Sequence, residues 1–223
     1  MRASPFVLLP LLAACVVADT EVAMPTGLAG GAVVPIRGTN GAMVGRVSVG
    51  EASGGFRRTR SQTTTLGVYE RDGATTRFTL EGAPFAEATE VDCKLTRRAV
   101  TVQGVSSPTK PTGYDCALSR GGSLVLDEQT EVGGPYPFPI RKGFVSLDGT
   151  RLSVRSLHAY GGIERESLSP IGYSFADGDR VVGAVRMLMP PSLTIAPGAT
   201  DAQAAAMTAA GAALALTWEP EGA

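Results

Sequence analysis

The stretch TDAQAAAMTAAGAALALTW, residues 200–218, is the most informative part of the sequence about the fold. Alanine has the highest helix propensity, and Thr200 or Asp201 can cap the first turn, so the stretch predicts a helix. No charged residue occurs from Ala204 to Trp218. A helix that is apolar on every side must be buried in protein or in a membrane. Because this run is short and rich in alanine, it predicts a helix buried inside the protein, with a membrane-inserted helix as the alternative.

The chain before this helix has the composition of an all-β domain. It contains 28 glycines and 15 prolines, and short β-like segments alternate with turn signals. We expect hairpin turns at residues 38–41, 71–74, 148–150 and 177–179, the second of which has Asp-Gly at its centre. The sequence therefore predicts about a dozen short strands in an antiparallel barrel or a sandwich, with the C-terminal helix buried inside it or across one face.

The N-terminus has the features of a secretory signal. A basic residue precedes an apolar segment, residues 6–14, that is too short to span a bilayer. The residues LAAC at 12–15 resemble the lipobox of bacterial lipoproteins. This resemblance implies cleavage before Cys15 and acyl chains, such as palmitate, on its sulfur and amine. Val16 in the next position implies sorting to the outer membrane. An ordinary signal peptide that is cleaved a few residues later is the alternative.

These features divide the chain into three parts. Residues 1–14 are expected to be the signal peptide, residues 15–29 the lipidated N-terminus and tether, and residues 30–223 a single β-rich domain. The formal net charge is −1, so the chain lacks the excess of positive charge that is typical of proteins that bind nucleic acid. No nucleic-acid partner is therefore expected.

Two of the three cysteines remain once Cys15 is assigned to lipidation. Cys93 and Cys116 are an even pair in an exported protein, which predicts a disulfide. The alternative is a metal or redox pair. Neither cysteine lies in a C-x-x-C motif, and the only histidine, His158, is distant in the sequence.

A second resemblance concerns residues 168–218. The segments GYSFADGDRVVGAVRML and SLTIAPGATD, followed by the alanine-rich helix, resemble the end of the tubby C-terminal and phospholipid-scramblase-like superfamily. In that superfamily a twelve-stranded antiparallel barrel surrounds one hydrophobic C-terminal helix. The resemblance therefore implies a barrel filled by the helix, and thin alanine side chains would suit a narrow interior.

Patterns typical of catalysis are sparse. His158 has no assignable aspartate partner, and Ser107 with Lys110 match S-x-x-K in a proline-rich stretch that is expected to be a loop. Asp177 and Asp179 offer oxygen ligands for Ca²⁺, but too few further ligands lie nearby in the sequence. We therefore expect a protein that is not an enzyme and that needs no metal and no cofactor.

Two basic clusters are candidates for contact with anionic lipid headgroups or another envelope polymer, although a solvated face gives the same pattern. One cluster includes an aromatic residue. The clusters consist of Phe56, Arg57, Arg58 and Arg60, and of Lys94, Arg97 and Arg98.

The segment GGPYPFPIRKG, residues 133–143, predicts a polyproline-like stretch with Tyr136 and Phe138 exposed. These rings are a candidate docking point for a partner protein, with a stiff loop as the alternative. Together the sequence favours an outer-membrane lipoprotein with a non-catalytic binding or structural role towards a lipid or protein partner. A hydrolase that acts on envelope material, with a site not recognisable from sequence, is the alternative.

Overall fold

The computed structural model describes residues 21–65, 69–102, 105–131, 138–162 and 166–217. Cys15 and Tyr136 lie outside these ranges. The described elements are β1 (Ala32–Arg37), β2 (Val44–Val49), β3 (Ala52–Thr65), β4 (Tyr69–Leu80), β5 (Thr89–Val102), β6 (Val105–Leu118), a 3-10 turn (Ser119–Gly121), β7 (Gly122–Glu131), β8 (Phe138–Leu147), β9 (Thr150–Leu157), β10 (Gly172–Asp177), β11 (Arg180–Arg186), β12 (Ser192–Ile195) and α1 (Asp201–Leu216).

The strands form one closed antiparallel barrel in which every strand pairs with its neighbours along the chain. Pairing of β12 with β1, with Ile195 opposite Ala32, closes the barrel. Side chains alternate between the two faces, so that Phe78 and Leu80 of β4 are buried inside while Arg77 is exposed outside. The prediction of a mainly β fold with one buried C-terminal helix is confirmed, in the form of a barrel.

The first turn of α1 is fixed by a capping box. The Thr200 hydroxyl accepts a hydrogen bond from the Gln203 backbone N–H at 3.2 Å, and the Gln203 side chain accepts one from the Thr200 N–H at 3.0 Å. The Gln203 side-chain amide also donates to Asp177 at 2.9 Å. Because Asp177 ends β10, this bond attaches the start of the helix to the rim of the barrel.

The helix fills the interior of the barrel. It contacts strands on all sides, including β1, β4, β8 and β11. Its alanines are thin enough to fit, and large side chains such as Phe175 and Leu124 project inward from the strands to pack against it. Gly183 of β11 lies against Met207, where a Cβ would collide with the methionine sulfur. The core is therefore formed by apolar strand residues packed on a helix that is apolar all round.

Within the described residues, no helix has the length and apolar character needed to cross a membrane.

The hairpin predicted at residues 71–74 does not form. These residues lie in the middle of β4, where Arg71 pairs with Thr63, Asp72 with Gln62 and Gly73 with Ser61 of β3. The Asp-Gly signal is overridden because the flanking residues continue the alternation in register with both neighbouring strands. By contrast, the chain does turn at 148–149 and 178–179, as predicted.

The proline-rich stretch around Ser107 and Lys110 is also a strand rather than the expected loop. Pro108 lies opposite Ala99 of β5, but pairing of β6 with β7 begins only at Gly113. Proline lacks a backbone N–H and is tolerated in a strand that pairs along one edge only. The other predicted proline-rich segment is likewise a strand from Phe138 onward, paired with β7.

The N-terminal segment joins the barrel earlier than the predicted domain boundary at residue 30. Val22 forms an antiparallel bridge with Tyr160 in the β9–β10 connection. Val22 and Leu28 are both buried. Part of the expected tether therefore packs on the domain.

The predicted disulfide between Cys93 and Cys116 is present. The two residues lie directly opposite each other on β5 and β6, and both are buried on the inner face. The bond joins two of the longest strands of the barrel next to the helix.

Candidate binding surface

Strand alternation divides the first predicted basic cluster between the two faces of β3. Phe56 and Arg58 are only 4% and 6% exposed, and Phe56 lies opposite Phe78 in the core. Arg57 is exposed on the outer face, and Arg60 is exposed although it lies opposite Ala74 in the inward-facing series. The interpretation of Phe56 and Arg58 as surface residues is therefore wrong, because a period of two places residues 56 and 58 together on the inner face.

Arg58 has a structural role at the end of the helix. Its guanidinium donates to the Leu216 carbonyl at 3.3 Å and to the Ala42 carbonyl at 2.7 and 2.9 Å. It also lies 5.0 Å from the centre of the Phe56 ring. The helix has no basic residue in its last turn, so Arg58 supplies the positive charge that complements its C-terminal dipole. Burial lowers the pKa of Arg58 from its ordinary value, but an arginine remains protonated in proteins.

Replacement of Arg58 is expected to destabilise the barrel, whereas replacement of its neighbour is not. Arg58→Met keeps the bulk of the side chain but leaves the Leu216 and Ala42 carbonyls without this donor, which should lower the free energy of unfolding by about 2 kcal/mol. Arg57→Met, on the exposed face, should change it by less than about 0.5 kcal/mol. Urea unfolding of the two variants measures the difference. Equal effects would contradict the structural role of Arg58.

Further polar groups surround the end of α1. The Tyr114 hydroxyl and the Thr217 hydroxyl both donate to the Ala213 carbonyl, at 2.8 and 2.9 Å. Burial raises the pKa of Tyr114, which therefore stays protonated. Arg141 donates to the Tyr173 hydroxyl at 3.2 Å. The first two bonds satisfy the Ala213 carbonyl, which belongs to the last turn of the helix and would otherwise be unpaired.

His158 belongs to a buried hydrogen-bond network. Its Nδ1 lies 2.8 Å from the Ser167 carbonyl, and its Nε2 lies 2.8 Å from the Ser156 hydroxyl. The Ser156 hydroxyl in turn accepts the Arg141 backbone N–H at 2.8 Å. Burial lowers the pKa of His158, which favours the neutral imidazole. In this geometry the ring fastens the β9–β10 connection to the barrel.

No group of three or more His, Cys, Asp or Glu side chains arranged to hold a metal ion occurs within the described ranges.

The second predicted basic cluster is also divided by alternation. Lys94 and Arg98 are exposed on the outer face of β5. Arg97 is half-buried and lies opposite Asp72, which belongs to the inward-facing series. In its place, Arg71 of β4 joins the outer cluster, because it lies directly opposite Arg98. The outer face therefore presents Arg71, Lys94 and Arg98 together.

Two concave regions lie on this side of the barrel. The larger, of about 670 Å³, crosses β2 to β6 and is lined by Arg57, Arg77 and Asp92, with Gly55 in its floor. Arg77 and Asp92 form an ion pair at 2.7 Å, so this groove has mixed charge.

The smaller region, of about 320 Å³, lies over Gly73 on β3 to β5. We call it the threonine depression, since its lining consists of Thr59, Ser61, Thr63, Arg71, Gly73, Ala74, Thr75, Lys94, Leu95 and Thr96.

Sequence reasoning misses Arg71 and the hydroxyl residues, because the Asp-Gly pair predicts a turn where the structure has a strand. The signal that was available is the period of two in residues 59–65, which places a Ser or Thr at every second position. Phe138 opens β8 opposite Glu131, and its side chain lies outside the described part of the structure.

Comparison of the chain with models of protein families, with curated proteins and with solved structures finds no match.

Proposed function

We propose that this chain is an envelope lipoprotein, anchored in the outer membrane through Cys15, that acts by binding a partner at its outer surface rather than by catalysis. The observation that supports a surface role is the filled interior: α1 occupies the space in which a barrel of this size would hold a small ligand. Recognition must then use the exterior, where the exposed cations and the two concave regions lie.

The architecture is also the one that the resemblance to the tubby and scramblase-like superfamily implies. Twelve antiparallel strands surround one apolar C-terminal helix. A fold does not determine a function. This likeness therefore concerns the architecture alone, and the ligand has to be inferred from the residues of the surface. A hydrolase that used His158 as its base would need the ring and its Ser156 partner to be within reach of a substrate, but these residues are only 6% and 4% exposed.

A short tether would keep the barrel close to the lipid. Val22, the first of the described residues that forms a β-bridge with the barrel, lies seven positions after Cys15 (22 − 15 = 7). A fully extended chain of this length spans at most about 25 Å. The domain would therefore stay within reach of the polymers and proteins of the membrane surface.

The anchor is tested by metabolic labelling with an alkyne fatty acid. The wild-type chain is expected to incorporate the label and to fractionate with the outer membrane. The Cys15→Ser variant should remain unlabelled and uncleaved, because the acylated sulfur is lost. Cys93→Ala/Cys116→Ala is the matched control and should still be labelled. An unlabelled wild-type chain would refute the lipoprotein assignment.

A further inference from the structure

The threonine depression has the shape of a shallow polar site. Gly73 forms its floor opposite Ser61, and a Cβ at position 73 would lie only 2.9 Å from the Ser61 hydroxyl. Glycine weakens a strand interior and often marks a place where another group approaches the backbone closely. Because Gly73 has no side chain, a hollow remains between the outward-facing side chains of β3 and those of β5.

The cations beside this hollow are arranged at an electrostatic cost. Arg71 and Arg98 lie directly opposite each other, and like charges in that position destabilise a sheet. Lys94 lies on the same face of β5, opposite Thr75. Among the described residues, none of these three side chains forms an ion pair, and Lys94 forms none with Asp115, its register partner on β6.

Two other exposed arginines of the barrel form ion pairs within the protein. Arg77 pairs with Asp92 at 2.7 Å, and Arg155 pairs with Glu131 at 2.6 Å. Arg71, Lys94 and Arg98 lie close together on one face without such a partner among the described residues, so their grouped positive charge is complementary to negative charge from outside the chain.

Hydroxyl groups make up most of the rest of the lining. Thr59, Ser61 and Thr63 follow one another along β3 over about 13 Å. Thr59 is hydrogen-bonded to Thr75, and Ser61 donates to the Gly73 carbonyl at 3.4 Å. Each hydroxyl has one donor and two acceptor sites, so these groups retain capacity for a ligand that itself presents hydroxyls.

We propose that the threonine depression binds an anionic polysaccharide, an inference that rests on the proposed surface-binding function. Acidic groups of the polymer pair with Arg71, Lys94 and Arg98, and sugar hydroxyls pair with the Ser and Thr side chains. A concave, hydroxyl-lined site matches a sugar chain better than the flat surface of a bilayer, which would reach only the tips of the cations. The elongated row on β3 suits a chain that lies along the strand.

The test uses the full-length protein in phosphatidylcholine vesicles, with labelled dextran sulfate as the probe and neutral dextran as its control. We expect dextran sulfate to bind and neutral dextran not to bind. Arg71→Gln/Arg98→Gln should weaken binding about tenfold or more, because two charge-assisted contacts are lost. The matched control, Arg37→Gln/Arg46→Gln, removes the same charge from exposed positions on β1 and β2 and should change binding much less.

A second variant separates a built site from general attraction between charges. Gly73→Val fills the depression and leaves every cation in place, so it should abolish binding while circular dichroism shows an unchanged fold. Retained binding in Gly73→Val, equal weakening by the control pair, or no binding of dextran sulfate would each overturn the proposal.

Phosphatidylglycerol added to the same vesicles tests the membrane as the ligand. If the lipid displaces dextran sulfate from the wild-type protein, the surface belongs to the bilayer and the polysaccharide proposal fails. Failure of the anchor is distinguishable, because the protein would then not float with the vesicles although dextran sulfate still binds it.

Discussion

Ala209→Asp and Ala212→Asp are each expected to prevent folding of the domain. The two alanines are 1% and 0% exposed and lie in the part of α1 that is surrounded by the barrel. A carboxylate there would be removed from solvent, so its burial costs several kcal/mol even if the group takes up a proton. That cost is comparable with the whole stability of a domain, about 5–15 kcal/mol.

The matched control is Gly211→Ala, between the same two positions. A methyl group at 211 would lie 3.8 Å from Ile36 and 3.9 Å from Val185, which are ordinary contact distances. Because alanine is about 1 kcal/mol better than glycine in a helix, this variant should fold and resist denaturant slightly more than the wild type. Circular dichroism and solubility of the three variants measure the outcome. A soluble, β-rich protein with Asp at both positions would refute the filled-barrel structure.

The helix was the most predictable element of the fold, for a physical reason. Propensity, capping and the absence of charge all indicate the same state between Thr200 and Leu216, and the observed helix agrees with the prediction within two residues at its C-terminal end. The closure of the strands into a barrel was less predictable, since alternation shows which face is buried but does not show whether a sheet closes on itself.

Turns and long strands were harder to predict because local signals compete with pairing along the sheet. The Asp72-Gly73 pair has strong turn chemistry, yet it lies within a strand of twelve residues. The sequence also could not show which arginines are exposed in the tract from Phe56 to Arg60. That outcome depends on the register of β3 against β4, which is set by contacts distant in the chain.

The candidate site was predictable only in part for the same reason. Lys94 and Arg98 were expected to act together, and they share the outer face. Arg71 is 27 positions away from Arg98 in the sequence (98 − 71 = 27), so only the pairing of β4 with β5 reveals the full cluster. Residues that meet across neighbouring strands have no fixed separation in the sequence, so a single sequence does not show that they are neighbours.

Loss of the disulfide is expected to lower the free energy of unfolding by about 3 kcal/mol, a value that follows from the entropy of the loop closed by the bond. Cys93 and Cys116 are separated by 23 positions. The bond restricts the unfolded chain more than it changes the folded one, because the two strands are already paired in register at this point. The double variant Cys93→Ala/Cys116→Ala removes the cross-link while keeping small apolar side chains in the core.

Urea unfolding of the oxidised wild type, the reduced wild type and the double variant measures the effect. The reduced sample is prepared in denaturant and refolded with reductant, so that the buried bond is accessible to the reagent. Reduction keeps both sulfur atoms and therefore reports the cross-link alone, whereas the double variant adds a small packing loss. We expect both to unfold at lower urea concentration than the oxidised protein, with the double variant lowest. Coincident curves for the oxidised and reduced wild type would show that the bond contributes no stability, since β5 and β6 would then be held together by pairing alone.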